Sequence, residues 1–462
     1  MNYERLGQPL TLVIFGITGD LAQRKLLPAL YQLSKAGELP EWMRIIGVSR
    51  REVSLDDVYG RLQEFVGEAD YDHAAKQYLM ERTEMRQMDL LEKADYDSLL
   101  ARLHEIESGM PGPGSRLYYL SIPSQAFSPI IRLLGETGHN AALPNGELPR
   151  LLIEKPFGYD LKSAIELVHT LDEHFGEAQV YRIDHYVAKE TVQNILTFRF
   201  HNPLFESIWN AKHVARISVV AREQLDIEGR ANFYEQTGAL RDLIQSHLLQ
   251  LLAITTMDKP AELDSANIHD KKLDLLESVR PIQPNEVAEK ALRGQYEGYR
   301  QEVNNPDSVV ETYARLELAI ENETWKGVPI TLETGKALDA KLTEITVCFR
   351  QQEDSAEDQN KLVFRIQPNE GITLRLQTKR PGIKTVTEGA DMDLDYAKSF
   401  NARPAEAYER VIVDAIRGDQ TLFASSSEVI RSWEIIENVL EQWSHGPDGL
   451  AIYGKGTSGP SI

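Results

Sequence analysis

Residues 13–33, VIFGITGDLAQRKLLPALYQL, run from a short apolar strand through a glycine turn into a helical pattern. Residues 12–15 are the strand, Gly16 and Gly19 lie in the turn, and the helix is expected over 21–33. A strand that turns on glycine into a helix opens a βαβ unit. Glycine lets backbone amides approach a pyrophosphate, and the helix N-terminus faces its charge. The spacing is G-x-x-G-x-x-A, ending at Ala22, and the same spacing also suits a tight β–α turn that binds nothing.

Working outward, short apolar runs at 44–48, 117–122, 151–153 and 179–183 alternate with helical segments, which predicts a parallel sheet. After about residue 200 the texture changes. Residues 214–221, 312–320, 344–349, 361–366 and 372–376 alternate apolar and polar. The turns QQEDSAEDQN and PNEG separate the last three, which suggests antiparallel hairpins. Residues 258–307 read as polar, partly helical and loop-rich at their end. The expected fold is an α/β Rossmann-type N-terminal domain over 1–180, then an α+β C-terminal domain over 181–462. A large, mostly antiparallel sheet is expected in the second.

The 462 residues carry a formal net charge of −21, which argues against general affinity for nucleic acid or anionic membrane. It does not exclude a small anionic ligand held by a few converging lysines. No apolar run approaches the roughly 18 residues of a membrane span. The polar start MNYERLGQPL does not read as a signal peptide. The single cysteine, Cys348, excludes an intrachain disulfide and fits a reducing cytoplasm. No clustered ligand spacing suggests a metal.

The second strand bears on the nucleotide. An NAD site usually ends this strand with an acid that takes the ribose hydroxyls. Here the strand ends GVSRR, with Arg50 and Arg51 before the first acid, Glu52. A guanidinium suits a 2′-phosphate, so the pattern favours NADP over NAD, against two solvated arginines.

Two other strand ends are unusually polar. LLIEKPFG runs into Glu154 and Lys155, and VYRIDHYVAKE runs into Asp184, His185, Tyr186 and Lys189. A helix beginning at Asp184 would put His185 and Lys189 on one face as a phosphate cradle, or simply as a solvated face behind an N-cap. The segment GALRDLIQSHLLQLLAITTM is strongly helical, with Leu240, Leu243, Ile244, Leu248, Leu251 and Leu252 as its apolar stripe. His247 borders that stripe, as a base or as a satisfied core residue. Asp242, five positions earlier, lies about 140° away round an ideal α-helix. The two share a ligand only if it reaches across the helix, as a sugar can.

Taken together, IFGITGDLAQRKLLPALYQL, LLIEKPFG, RIDHYVAKETVQNILTFRF, RDLIQSHLLQLL and TGKALDAK resemble the glucose-6-phosphate dehydrogenase family, in that family's order. The resemblance implies oxidation of glucose 6-phosphate at C1 with NADP as cofactor. It implies His247 as the base and Asp184 as its paired carboxylate. By the same resemblance His185, Tyr186 and Lys189 hold the substrate phosphate, and Lys155 lies close to sugar and nicotinamide. Glu223 and Asp242 match acids that bind sugar hydroxyls, and Lys336 and Lys341 complete the pocket. Gly16, Thr18, Gly19, Asp20, Arg50 and Tyr119 match cofactor positions. A homodimer or homotetramer is implied too. Departures stand at Ser246, Ala188 and the R-E-Q around Glu223; Leu342, where some members carry a basic residue, predicts no second, structural NADP site. Two rivals remain: a neutral-sugar dehydrogenase, which has no use for a phosphate cradle, and an inactive NADP-binding regulator, which has no use for Asp184, Lys155 and His247 together.

Overall fold

The computed structural model describes residues 7–351, 359–400 and 405–461. Most of the acidic turn QQEDSAEDQN lies outside them. The chain divides into two compact units. The first takes Met1–Gly158, Lys162–Ala188 and Ala405–Ser426; the second takes Tyr159–Leu161, Lys189–Pro404 and Ser427–Ile462.

The first unit is built on strands β1 (Leu10–Phe15), β2 (Met43–Ser49), β3 (Thr83–Gln87), β4 (Ser115–Leu120), β5 (Arg150–Glu154) and β6 (Val180–Ile183). All pair in parallel, in the order β6-β5-β4-β1-β2-β3. The two-residue strand Phe423–Ala424 adds antiparallel to β6. β1, β4, β5 and β6 are buried along their whole length, as expected of strands covered on both faces. The order reverses between β1 and β4, and that switch point is where an open parallel sheet offers its ligand crevice.

Two buried arginines explain why a segment so late in the chain returns here. Arg150 donates to the carbonyls of Ala415 and Ile416 (3.0 and 3.1 Å), at the C-terminus of helix Ala407–Arg417. A cation there meets the helix's last carbonyls and the negative end of its dipole. Arg182 donates to Glu177, to the Ser426 hydroxyl and to the Ala424 carbonyl.

The helix after the glycine turn is not uniform. Ala22–Leu26 is π-helical, and the regular α-helix follows over Leu27–Ala36. Pro28, near the junction, has no N–H to close an α turn, and a widened turn absorbs the fault.

The second unit carries β7 (Val214–Arg222), β8 (Val279–Arg280), β9 (Ala291–Tyr296), β10 (Tyr313–Ile320), β11 (Ile330–Gly335), β12 (Leu342–Phe349), β13 (Lys361–Gln367), β14 (Gly371–Lys379) and β15 (Thr387–Asp395). With Leu450–Tyr453 they form one sheet ordered β15-β14-β13-β12-β7-β11-β10-β9 and then that last strand, β8 pairing with β10. Pairing is antiparallel except for β7 with β11 and β9 with Leu450–Tyr453. The mostly antiparallel sheet of the expected α+β domain is therefore present, and residues 258–307 include β9 besides the helix Ser265–Ser278. Alternating burial along β7, β10 and β13 shows one face covered and the other open.

Candidate functional site

At the switch point of the first unit, Gly16 follows β1 with φ +79°. A Cβ there would stand 2.4 Å from the Ser121 carbonyl oxygen at the end of β4. Only glycine fits both that conformation and that approach. Gly19 donates its N–H to the Gly16 carbonyl (2.8 Å) and is less tight, a Cβ at 19 lying 3.0 Å from the same oxygen. Thr18 is half-buried and Asp20 is exposed, in an ion pair with Arg24 (2.7 Å). Arg50 and Arg51 are exposed at the end of β2, above a buried Ser49 whose hydroxyl accepts the Arg51 N–H (3.2 Å).

Further along the same strand ends, Tyr119 is wholly buried and donates its hydroxyl to Glu154 (2.5 Å). Burial pushes the Glu154 carboxyl up to about 7. Hydrogen bonds from Tyr119 and Tyr408 and the charge of Lys155 pull it back down, while Asp184 opposes them. Lys155 is half-buried beside it. Sequence reasoning noted Glu154 only as a strand end and missed Tyr408; an acid buried next to a conspicuous lysine was the available signal.

The expected helix from Asp184 does not form. Asp184, buried, accepts the Tyr186 N–H (2.9 Å) and reaches that of Val187, and residues 185–188 make a turn. Lys189 is extended (φ −72°, ψ 144°), and the helix begins only at Glu190. An aspartate that bonds the backbone two residues on offers a turn in place of a helix. His185 and Lys189 therefore do not share a helical face. His185 lies in the first unit, edge-on to Tyr186 (5.0 Å) and stacked near Tyr408 (6.4 Å, 22°). Lys189 belongs to the second unit, donating to Gln367 at the end of β13 (2.5 Å).

The second unit gathers the rest. β7 and β11 run in parallel with Arg222 opposite Gly335, so the residues that follow, Glu223 and Lys336, emerge side by side. Lys336 is buried, donates to the Glu223 carboxylate and lies over the Tyr234 ring (5.2 Å). Tyr234 is buried, and desolvation pushes its hydroxyl well above the ordinary value, helped by the charges of Asp242, Glu223 and Glu311. Lys336 is thus held between the Glu223 carboxylate and the Tyr234 ring. Lys341 is exposed just before β12.

His247 is 1% exposed, on the segment Leu240–Leu248, which is π-helical. That corrects the α-helical geometry. In a π-helix, residue i is hydrogen-bonded to i+5, so residues five apart stand nearly one above the other. Asp242 and His247 are that pair, so the roughly 140° separation expected of an α-helix narrows and the two come to one side of the segment. The apolar stripe is as read: Leu240, Leu243, Ile244, Leu248, Leu251 and Leu252 are all buried. Among the described residues, no group of three or more His, Cys, Asp or Glu could hold a metal ion. No described helix is long and apolar enough to cross a membrane.

The chain matches the family model described as glucose-6-phosphate dehydrogenase, NAD binding domain, over residues 13–194 and that described as the C-terminal domain over residues 196–462. A relative from Chlamydia muridarum, named glucose-6-phosphate 1-dehydrogenase, is 41% identical, covering 94% of this chain and 90% of its own. A solved glucose-6-phosphate dehydrogenase, in complex with its substrate glucose-6-phosphate, superposes with a TM-score of 0.90 at 33% identity, over 99% of this chain and 96% of that one. A glucose-6-phosphate 1-dehydrogenase from Mycobacterium avium superposes at 0.84 and 31%, over 98% and 95%.

Proposed function

The chain belongs to the glucose-6-phosphate dehydrogenase family, and from that premise we propose that it oxidises glucose 6-phosphate at C1 to the 6-phosphoglucono-lactone, with NADP as the nicotinamide cofactor. Bound at the first unit, the nicotinamide supplies the hydride acceptor. His247, as neutral imidazole, takes the C1 hydroxyl proton. Asp184 serves as the carboxylate that orients the ring and stabilises the imidazolium. His185, Tyr186 and Lys189 hold the phosphate, whose binding energy then orients the reacting carbon. Glu223 and Asp242 accept sugar hydroxyls, Lys336 and Lys341 complete the pocket, and Lys155 lies between sugar and nicotinamide.

The turn fits the cofactor. Gly16 has no room for a Cβ and Gly19 little, so Gly16, Thr18 and Gly19 present backbone to a pyrophosphate at a helix start, with Asp20 and Tyr119 beside them. Arg50, with no acid before it, meets the 2′-phosphate. What carries the reading is His247 buried one π turn from Asp242 on the segment that packs over β7 and β11, an arrangement core filling alone does not require. We extend the proposal to a cytoplasmic homodimer or homotetramer, supported by the family resemblance and by the lone, buried Cys348.

Absorbance at the NADPH band, with glucose 6-phosphate and either NADP or NAD, tests it. Reduction that needs the sugar phosphate and prefers NADP is expected. A purified, folded chain that reduces neither nucleotide with glucose 6-phosphate, or that works equally well on free glucose, overturns it.

A further inference from the structure

Glu311 precedes β10 and is nearly seventy residues from the π-helical segment in sequence, yet the two are joined at two points. The Ala239 N–H donates to the Glu311 carbonyl (2.9 Å), and the Leu240 N–H donates to its Oε1 (2.9 Å). The first N–H groups of a helix have no partner within it, and a carboxylate is the strongest acceptor for them. A local Ser or Asp ordinarily does this work. Here Thr237 gives its hydroxyl to the Phe233 carbonyl, and the backbone at Gly238 is non-helical (φ +66°, ψ 174°).

The arrangement is costly in two ways. Glu311 is only 5% exposed, so its charge is desolvated, with Arg241 and Arg293 as the nearby compensating charges. Gly238 holds a conformation that side chains avoid, and a Cβ there would stand 2.4 Å from Glu311 Oε1. Glycine at 238 and a long acid at 311 are therefore one device, and it fixes where the π-helical segment begins. A π-helical stretch is unusual, and its start decides which residues stack.

We propose that Glu311 is a positioning residue of the reaction: anchored beside β10, it holds the first turn of Leu240–Leu248 and so keeps Asp242 and His247 in line with the sugar. This rests on the reading of His247 as the base. Slippage of the segment toward α-helical spacing carries His247 round the helix axis from Asp242, and a displacement of about 1 Å at a reacting group can cost on the order of 10²-fold.

The test compares wild type with Glu311→Asp, Glu311→Gln and Gly238→Ala in steady-state kinetics and thermal melts. Glu311→Asp keeps the charge but shortens the reach to the Leu240 N–H. It should lower kcat about ten- to a hundredfold with KM for NADP unchanged. Glu311→Gln keeps an acceptor oxygen at the same reach and should restore kcat to about a third of wild type or better. Gly238→Ala leaves Glu311 in place but drives a methyl into it, and should act like Glu311→Asp. Three results overturn the proposal: kcat near wild type in a folded Glu311→Asp or Gly238→Ala chain, Glu311→Gln as impaired as Glu311→Asp, or failure of both damaging variants to fold, which marks Glu311 as a structural cap only. If wild type itself does not oxidise glucose 6-phosphate, the functional reading fails instead.

Discussion

In the first unit the turn after β1 offers mainly backbone. Gly16 and Gly19 have no side chains to offer, and the nearest charges, Asp20, Arg24, Arg50 and Arg51, are all exposed. In the second unit the ends of β7 and β11 offer side chains. Lys336 is buried against Glu223 and Tyr234, and Asp242 and His247 share a π-helical segment held by the buried Glu311. Both are strand ends, but they respond differently to change. A site of amides is insulated from most substitutions except at the glycines that shape it. A site built on a buried lysine paired to a half-buried acid is vulnerable at both members, because removing Glu223 leaves Lys336 desolvated and unpaired.

The largest effect that tests this contrast is at His247. His247→Asn should lower kcat by ~10²–10⁴, the worth of a positioned general base. Nucleotide binding, which the proposal assigns to the glycine turn, should survive. A histidine that only filled the core would instead lower the melting temperature and leave folded molecules turning over normally. Melts, NADP titration and rates on one preparation separate the two, and turnover within tenfold of wild type removes His247 as the base.

Glu154, at the end of β5, is a buried carboxyl of the first unit, unlike the exposed charges of the glycine turn. Its folded pKa of about 7 stands above the ordinary 4.5, so between those values the native state holds a proton that the unfolded chain has lost. Stability therefore falls as pH rises through that window and levels off above it. Glu154→Gln removes the dependence and should make the chain more stable above pH 7, by up to about 3 kcal/mol. Urea unfolding at pH 5 and pH 8 reads this directly. An unchanged slope would mean the carboxyl stays ionised.

Gly16 is the point at which the backbone site should be fragile. Gly16→Ala must adopt φ +79° and push aside the Ser121 carbonyl, a strain of about 1–3 kcal/mol. Both NADP and NAD should bind more weakly by a similar factor, since the pyrophosphate is common to them. A loss confined to one nucleotide would break the assignment of this turn to the pyrophosphate.

The same contrast governs what the sequence made legible. The glycine turn and β1 are contiguous and periodic, so they could be read directly, as could β7, β12, β13 and β14 from alternation. β3, TEMRQ, was not, because an edge strand with little buried surface shows no apolar run. β11 was not, although it pairs in parallel with β7 and places Lys336 beside Glu223; that neighbour relation spans 113 residues and leaves no local pattern. The π-helical spacing of Asp242 and His247 escaped because apolar periodicity marks a buried face and not the hydrogen-bond register. Glu311 escaped because it caps the segment from 71 residues away, where no local pattern marks it. The family resemblance implies residue roles that spacing alone left open, and the helix that spacing suggested from Asp184 is replaced by a turn over residues 185–188.

The smallest effect expected is at Arg50, and it is the sharpest on the cofactor. Arg50 is exposed at the end of β2, so its charge is screened by water and salt. A hydrogen bond to a charged group is worth roughly 1.5–3 kcal/mol, and exposure places Arg50 at the lower end of that range, about a tenfold loss on removal. NAD carries a hydroxyl where NADP carries the 2′-phosphate, so Arg50→Ala should raise KM for NADP about tenfold and leave KM for NAD nearly unchanged. Arg50→Lys keeps the charge but not the planar fork, and should fall between the two. Raising the salt concentration should narrow the NADP preference of wild type toward that of Arg50→Ala, since the interaction lost is the screened one. An equal change in KM for both nucleotides would take Arg50 away from the 2′-phosphate. The preference would then have to come from its neighbour Arg51, which shares the strand end and whose N–H is already turned back to the Ser49 hydroxyl.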